Sequence, residues 1–193
     1  MSTLTTANQL TLLRMLIIPA FVILVVYGHL GWALVAFAVA GITDGLDGLI
    51  ARRSGQRTNL GAWLDPMADK LLLVTTFVVL TLPGLGLANR LPVWLTVLII
   101  SRDVVIVLTV AIVNLAVGPR TFRPSIYGKA ATAIYILTSV VTMLFNYLGR
   151  RSAVVDVFVY ASLAITLTSS LHYIAHAARI INEPQPGVPE RRP

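Results

Sequence analysis

Six long apolar stretches constrain the fold of this chain more than any other feature of its sequence. A helix needs about 20 residues to cross the roughly 30 Å hydrocarbon core of a bilayer, and each stretch is close to that length. Turn-forming and polar residues break the apolar pattern between the stretches. The pattern predicts an all-α, polytopic membrane helix bundle of about six transmembrane helices: Leu10–Tyr27, Gly31–Ile50, Ala62–Leu82, Pro92–Val117, Ile126–Leu148 and Ala153–Ile174.

Composition supports a membrane domain and excludes several functional classes. Charged residues make up only 12% of the chain, against about 25% in soluble proteins. The net charge of +7 comes from arginines between apolar stretches, which favours contact with anionic lipid headgroups over nucleic acid. The chain contains no cysteine, so a disulfide, a thiolate metal site and a cysteine nucleophile are excluded.

The distribution of arginines predicts the orientation of the bundle, because cytoplasmic loops of membrane proteins are enriched in Lys and Arg. This rule places both termini at the cytoplasmic face, with the segments that follow the second and fourth stretches. The opposite face receives Arg90, Arg150 and Arg151. We expect one membrane domain over residues 1–181 and a disordered, proline-rich cytoplasmic tail over residues 182–193.

Four of the eight acidic residues fall between positions 44 and 69, at the predicted cytoplasmic ends of the second and third helices. Asp44 and Asp47 are spaced i, i+3, and Asp65 and Asp69 are spaced i, i+4, so each pair shares a helix face. Because a short loop joins the helices, we expect the two pairs to oppose each other. Clustered carboxylates repel unless a cation lies between them, and hard oxygen ligands suit Mg²⁺, Mn²⁺ or Ca²⁺. The pattern therefore predicts a divalent-metal site.

The residues beside these acids fit a substrate diphosphate. Gly45 and Gly48 leave the backbone bare next to the carboxylates, and Gly61 does the same before the third helix. Arg52 lies one turn beyond Gly48 and can donate two hydrogen bonds to a phosphate. Alternatively, the acids could only cap helices or pair with Arg52, Arg53 and Lys70. That alternative explains four such residues poorly, because ionisable groups in membrane segments are costly and usually functional.

The segment from Asp44 to Asp69 resembles the signature of the CDP-alcohol phosphatidyltransferases at every specified position, D-x-x-D-G-x-x-A-R-x8-G-x3-D-x3-D. Members transfer a phosphoalcohol from a CDP-alcohol to an acceptor hydroxyl and release CMP. The resemblance implies that two Mg²⁺ or Mn²⁺ ions are held by the aspartates, and that Asp69 is also the general base. The residues implied for this site are Asp44, Asp47, Asp65 and Asp69 for metal, with Gly48, Ala51, Arg52 and Gly61 lining the cytidine diphosphate pocket.

The opening segment, residues 8–14, also resembles the family. Its Arg14 could serve the same site or could anchor a lipid headgroup. The segments at residues 62–70 and 101–103 resemble the branch that contains phosphatidylglycerophosphate synthases and cardiolipin synthases. This branch takes CDP-diacylglycerol as donor, which makes CDP-diacylglycerol and an alcohol the expected substrates.

The resemblance leaves the acceptor open between glycerol-3-phosphate, our first choice, and phosphatidylglycerol, with other alcohols used by more distant relatives. An Arg-Asp pair stands at residues 102–103, where bacterial phosphatidylglycerophosphate synthases usually have Arg-Glu. Both acceptors carry phosphate, and four basic residues could bind it: Arg102, Arg120, Arg123 and Lys129. Alternatively, Arg102 only pairs with Asp103 or Asp156, and the loop arginines hold lipid headgroups.

Two other classes of membrane protein also use clustered carboxylates. Membrane aromatic prenyltransferases bind a diphosphate through paired aspartate motifs, but those motifs lie far apart in sequence. A cation transporter would not need this spacing of glycine and arginine, and no inverted repeat is visible here. We therefore expect an enzyme of the bacterial inner membrane with its active site at the cytoplasmic face. Its expected partners are its substrates and membrane lipids but no nucleic acid, and a homodimer is a compatible assembly.

Overall fold

Six α-helices make up the part of the chain that the structure describes, residues 6–54, 59–117 and 126–182 of a computed structural model. No β-strand occurs within these ranges. The all-α bundle predicted from the apolar stretches is therefore confirmed. The helices, in chain order, are α1 Thr6–Val26, α2 Leu30–Ser54, α3 Asn59–Thr81, α4 Val93–Val117, α5 Ile126–Tyr147 and α6 Ala153–Asn182.

Several helices extend past the apolar stretches that predicted them. Helix α2 continues to Ser54, so Arg52 lies in its last turn and not in a loop. Helix α6 continues past the predicted end at Ile174 to Asn182, shortly before Pro184. Arginine and alanine are strong helix formers, so polarity alone does not end these helices. The predicted tail from residue 183 onward lies outside the described residues.

Three helices in the described ranges contain segments long and apolar enough to cross a membrane: Val93–Ile112, Ile126–Tyr147 and Ala153–Ala175. Two shorter apolar segments, Leu12–Val26 and Leu30–Thr43, belong to α1 and α2. Many aliphatic side chains on the outside of the bundle are exposed, which suits a hydrocarbon solvent.

Pairs of neighbouring helices enclose one core. Helix α1 packs on α2 and α3, α4 packs on α3 and α6, and α5 contacts α2 and α3 and packs extensively on α6. Phe77 of α3 meets Tyr135 of α5 edge to face, with ring centroids 5.9 Å apart. Between α5 and α6, the hydroxyls of Thr138 and Ser162 are 2.8 Å apart. Small hydroxyl residues let membrane helices approach closely and bond across the contact.

Two glycines at positive φ make the tight turns after α1 and α5. Gly28 has φ 78° and donates from its N–H to the Val25 carbonyl. Gly149 has φ 63° and donates in the same way to the Asn146 carbonyl. The N–H of the next residue also donates to the preceding helix, from His29 to the Leu24 carbonyl and from Arg150 to the Phe145 carbonyl. Each turn is therefore a Schellman cap. These caps connect α1 to α2 and α5 to α6 through very short turns.

Two buried asparagines tie the α3–α4 connection to the α5–α6 turn, and we call this cluster the asparagine staple. The Asn146 side chain accepts from the backbone N–H of Asn89 at 2.7 Å and donates to the Asn89 carbonyl at 3.0 Å. The Asn89 side chain donates to the Arg150 carbonyl at 2.7 Å and accepts from the Ser152 N–H at 2.9 Å. The staple therefore fixes the end of the bundle opposite the aspartate motif.

Candidate active site

The aspartate motif is divided between two helices. Asp44 and Asp47 belong to α2, and Asp65 and Asp69 belong to α3. Among these four, only the side chain of Asp69 lies in the described part of the structure. The predicted opposition of the two pairs stays a prediction, and so do the roles of the four residues proposed for the cytidine diphosphate pocket: Gly48, Ala51, Arg52 and Gly61.

Asp69 forms an ion pair with Arg14, 55 residues earlier in the chain. The Arg14 Nη1 donates to the Asp69 Oδ1 over 2.6 Å. The Arg14 side chain is fully buried, whereas 41% of the Asp69 side chain remains exposed. A buried guanidinium needs a counter-charge, and this carboxylate supplies one. The structure therefore assigns Arg14 to the aspartate site and not to a lipid headgroup at the surface.

Asp69 shares a cavity with Arg102, the residue predicted to bind the acceptor phosphate. The cavity has a volume of about 230 Å³ and lies between α3, α4 and α5. Phe77 forms part of its apolar wall. The polar side chains that line it are Asp69, Lys70, Arg102, Asp103, Thr132 and Tyr135.

Arg102 lies in α4 and is held by side chains of two helices. Its Nη1 donates to Asp103 at 2.8 Å, and its Nη2 donates to the Ser169 hydroxyl of α6 at 2.6 Å. The other carboxylate oxygen of Asp103 lies 3.1 Å from the Lys70 Nζ. The alternative pairing of Arg102 with Asp103 is therefore present. Its pairing with Asp156 is wrong, because Asp156 lies in the first turn of α6, at the opposite end of the bundle.

The contacts of Arg102 leave capacity for an anionic ligand. Only 11% of its side chain is exposed, and its buried Nε has no hydrogen-bond partner within the described part of the chain. Arg102 nevertheless lines the cavity, so its positive charge acts on a ligand that is bound there. Arg102 and Lys70 together exceed the charge of Asp103 by one positive charge. This side of the cavity therefore favours an anion.

An apolar recess adjoins the same cavity. It has a volume of about 310 Å³ and shares Lys70, Val74 and Asp103 with the cavity. Its other walls come from aliphatic residues of α4, several of which are exposed on the outside of the bundle: Ile100, Val104, Val107 and Leu108. An acyl chain could enter this recess from the lipid while its headgroup reached the charged cavity.

The other predicted acceptor residues are not brought to this cavity by the described structure. Lys129 is exposed in the first turn of α5, and Arg120 and Arg123 lie outside the described residues. Their roles stay predictions. Sequence reasoning missed Ser169 and Tyr135, because nothing in the sequence relates a hydroxyl on α5 or α6 to an arginine on α4. Lys70, considered before only as a partner for the acids, follows Asp69 directly.

The sequence profile of the CDP-alcohol phosphatidyltransferases matches residues 4–171, which include most of all six helices and the whole aspartate motif. The chain belongs to the CDP-alcohol phosphatidyltransferase family. This phosphatidyltransferase is thus an integral membrane enzyme of phospholipid biosynthesis, and its family implies CDP-diacylglycerol and an alcohol as substrates. The family assignment confirms the enzyme interpretation over that of a cation transporter.

Curated relatives carry names from the predicted branch of the family. A probable phosphatidylglycerophosphate synthase of Mycobacterium tuberculosis is 33% identical over 183 residues, covering 91% of this chain and 82% of its own length. A cardiolipin synthase (CMP-forming) of Streptomyces coelicolor is 32% identical over 164 residues, covering 82% and 74%. The human cardiolipin synthase (CMP-forming) is 36% identical over 162 residues, covering 74% and 52%. The similarity to both kinds of synthase confirms the predicted branch.

Proposed function

We propose that this phosphatidyltransferase transfers the phosphatidyl group of CDP-diacylglycerol to glycerol-3-phosphate and releases CMP. The observation that carries the proposal is the cavity that joins a carboxylate, Asp69, to a buried cation, Arg102. A small phosphorylated alcohol needs both groups, one for its hydroxyl and one for its phosphate. The volume of about 230 Å³ suits a small acceptor, and the Mycobacterium tuberculosis relative is named for the same activity.

In the proposed reaction, an acceptor hydroxyl oxygen attacks the phosphorus of the phosphatidyl group. The bond between that phosphorus and the bridging oxygen of the diphosphate breaks, and CMP leaves with the bonding electrons. Asp69 accepts the proton of the attacking hydroxyl. Arg14 acts as a positioning residue, since its bond to one carboxylate oxygen restricts how Asp69 is oriented. Arg102 and Lys70 hold the acceptor phosphate.

We also propose a divalent metal requirement. Asp44, Asp47, Asp65 and Asp69 would hold two Mg²⁺ or Mn²⁺ ions, which would offset the charge of the diphosphate. The partly exposed carboxylate of Asp69 fits this role, because it presents a hard oxygen donor to the cavity. The proposed pocket for the cytidine diphosphate lies beside these acids in sequence, at Gly48, Ala51, Arg52 and Gly61.

Phosphatidylglycerol is the second candidate acceptor. The adjoining apolar recess favours it, because a lipid acceptor needs a place for acyl chains beside the charged cavity. CDP-diacylglycerol could occupy the same recess, so the recess supports either acceptor. Two of the relatives are named as cardiolipin synthases.

The proposal is tested by giving the purified protein CDP-diacylglycerol and one acceptor at a time. CMP release and the lipid product are then measured together. We expect phosphatidylglycerophosphate from glycerol-3-phosphate at the highest kcat/KM. Cardiolipin formed from phosphatidylglycerol at a higher kcat/KM would replace the first candidate with the second. Inositol and serine serve as acceptors that both candidates predict to be inactive.

We further propose that the site faces the cytoplasm of a bacterial cell, as the positive-inside rule indicates. Because the chain has no cysteine, single cysteines can report the orientation without background. Cysteines at Gln56 and Arg150 should react with a membrane-impermeant maleimide from opposite sides. Labelling of both from the same side would refute this topology. Light scattering of the purified protein tests whether it forms the homodimer that is compatible with its sequence.

A further inference from the structure

A second, larger cavity lies at the end of the bundle opposite Asp69. Its volume is about 550 Å³, within the range of roughly 300–1,000 Å³ that is usual for ligand sites. It lies between the α3–α4 connection and the start of α6, so it draws on residues such as Leu87, Arg90 and Val155. Twelve residues of α3 separate Asp69 from Thr81, or about 18 Å of helix, before this connection begins.

Two arginines contribute the positive charge of this cavity. Arg90 comes from the α3–α4 connection and Arg151 from the α5–α6 turn, and both are exposed. In the described part of the chain neither guanidinium forms a hydrogen bond or an ion pair. Asp156 also lines the cavity, so its three charged groups leave one net positive charge. A singly charged anion would neutralise that charge, and guanidinium groups bind phosphate through paired hydrogen bonds.

The rest of the lining is suited to a lipid. Leu82 follows the end of α3, lines the cavity and is 42% exposed, so it offers an apolar surface there. Trp94 and Tyr160 are 46% and 64% exposed, and such aromatics are enriched at the level of lipid headgroups. Asn89 also lines the cavity, and the asparagine staple fixes it. The two arginines are therefore carried on segments that are tied to each other.

We propose that this cavity binds the phosphate group of an anionic phospholipid in the leaflet opposite the active site. The lipid phosphate lies between Arg90 and Arg151, and the first part of an acyl chain follows the exposed apolar surface of Leu82 and Trp94. Asp156 accepts hydrogen bonds from hydroxyl or ammonium groups of the headgroup. A free phosphate ion would satisfy the same arginines, but it would leave the exposed side chains of Leu82 and Trp94 uncovered.

Native mass spectrometry of the full-length protein, released from detergent micelles, tests the proposal. The probe is phosphatidylserine, which is anionic and is not a proposed substrate, compared with phosphatidylcholine of the same acyl chains. We expect one tightly bound phosphatidylserine, with phosphatidylcholine at least fivefold weaker. R90Q and R151Q should each weaken phosphatidylserine binding about fivefold, since each removes a basic residue near the membrane surface. Millimolar inorganic phosphate should not displace the lipid.

Arg150 offers the matched control. It is exposed and lies beside Arg151, but the described lining of the cavity does not include its side chain. R150Q removes the same charge and should bind phosphatidylserine like the unmodified protein. Equal weakening in R150Q, or equal binding of both lipids, would overturn the proposal. Displacement of phosphatidylserine by inorganic phosphate would assign the cavity to free phosphate and overturn the lipid assignment. The lipid and phosphate comparisons use the unmodified protein, so they decide the matter even if a variant fails to fold.

Discussion

The asparagine staple lies at the opposite end of the helices from the charged cluster, which consists of Arg14, Asp69, Lys70, Arg102 and Asp103. The two clusters differ in how their polar groups are paired. In the staple, two neutral side chains and nearby backbone groups pair with each other. In the charged cluster, Arg102 keeps a buried N–H without a partner within the described residues, and the cluster borders a cavity. The staple is complete without a ligand, whereas the charged cluster has capacity for one.

This difference separates stability from activity in the molecule. Breaking a fully paired buried cluster removes stabilisation from the fold, because the groups left behind have no water to bond with. Breaking a cluster that awaits substrate removes binding or chemistry and can leave the fold intact. Each change below affects one cluster, and we expect the property that depends on the other cluster, activity or stability, to stay nearly the same.

Metal removal should give the largest effect, confined to the charged cluster. We expect excess EDTA to reduce CMP release to background and added Mg²⁺ or Mn²⁺ to restore it, because the proposed metals would offset the charge of the diphosphate. The hydrogen-exchange rates of backbone amides around the asparagine staple should change little when the metal is removed. Full CMP release in excess EDTA would refute the metal requirement.

Asp69→Asn should follow, with a loss of about 10²- to 10⁴-fold in kcat, the usual contribution of general acid–base catalysis. The change keeps the shape of the side chain and removes its basic oxygen. We expect CDP-diacylglycerol binding to be retained, and thermal unfolding should be measured because Arg14 loses its charged partner. Glu190→Gln makes the same chemical change outside the motif and should have no effect. Turnover of Asp69→Asn near the unmodified rate would mean that the base is another group.

Arg102→Ala should raise the KM for the acceptor by about 10- to 100-fold, since a hydrogen bond to a charged group contributes about 1.5–3 kcal/mol. The KM for CDP-diacylglycerol should change much less. Steady-state kinetics with each substrate varied in turn makes the comparison. Equal changes in the two KM values would return Arg102 to a purely structural role. Arg123→Ala tests the other proposed acceptor arginine in the same way, with the same expected direction.

Ser169→Ala sharpens this prediction, because Ser169 holds the Nη2 of Arg102 from α6. We expect a smaller rise in the acceptor KM, about two- to fivefold, with kcat nearly unchanged. Thr168→Ala is the matched control, since Thr168 is exposed and, among the described residues, its hydroxyl bonds only to the Ala164 carbonyl of its own helix. An acceptor KM that changes equally in both variants would show that Ser169 does not position Arg102.

Asn146→Ala should have the smallest effect on catalysis and a clear effect on stability. It leaves the buried N–H and carbonyl of Asn89 without their partner, which costs about 1–3 kcal/mol. Thermal or denaturant unfolding in micelles measures the loss, and kcat per folded molecule should stay within about twofold of the unmodified value. Arg150→Ala removes only an exposed side chain and should leave stability unchanged. A large loss of kcat in folded Asn146→Ala would mean that the two ends are coupled.

Much of the fold was predictable, because helix length in a membrane is set by bilayer thickness and read directly from apolar stretches. Errors at helix ends arose where helix-forming residues such as Arg52 continue a helix beyond the apolar segment. The aspartate motif was predictable from spacing within one short window. Asn146 was visible as a polar residue within an apolar helix, but its partner lies 57 residues away in a connection whose path only the packing determines.

The partners of the charged cluster were likewise beyond sequence reasoning. Arg14 and Asp69 are 55 residues apart, and Arg102 and Ser169 are 67 residues apart. Each pair depends on how two helices are rotated and how far one slides along the other. The rotation and the sliding depend on how whole helix faces fit together. They cannot be read from the sequence, because these helices are apolar on nearly every face.

The buried position of Arg14 has a consequence for how the protein is made. A buried arginine in a membrane helix opposes insertion until it is paired, and a carboxylate that pairs with Arg14 belongs to α3. At about 5–20 residues per second, the ribosome supplies Asp69 roughly 3–11 seconds after Arg14. During that interval α1 lacks its final partner in the bilayer. The settled position of α1 in the membrane therefore depends on a helix that is synthesised after it.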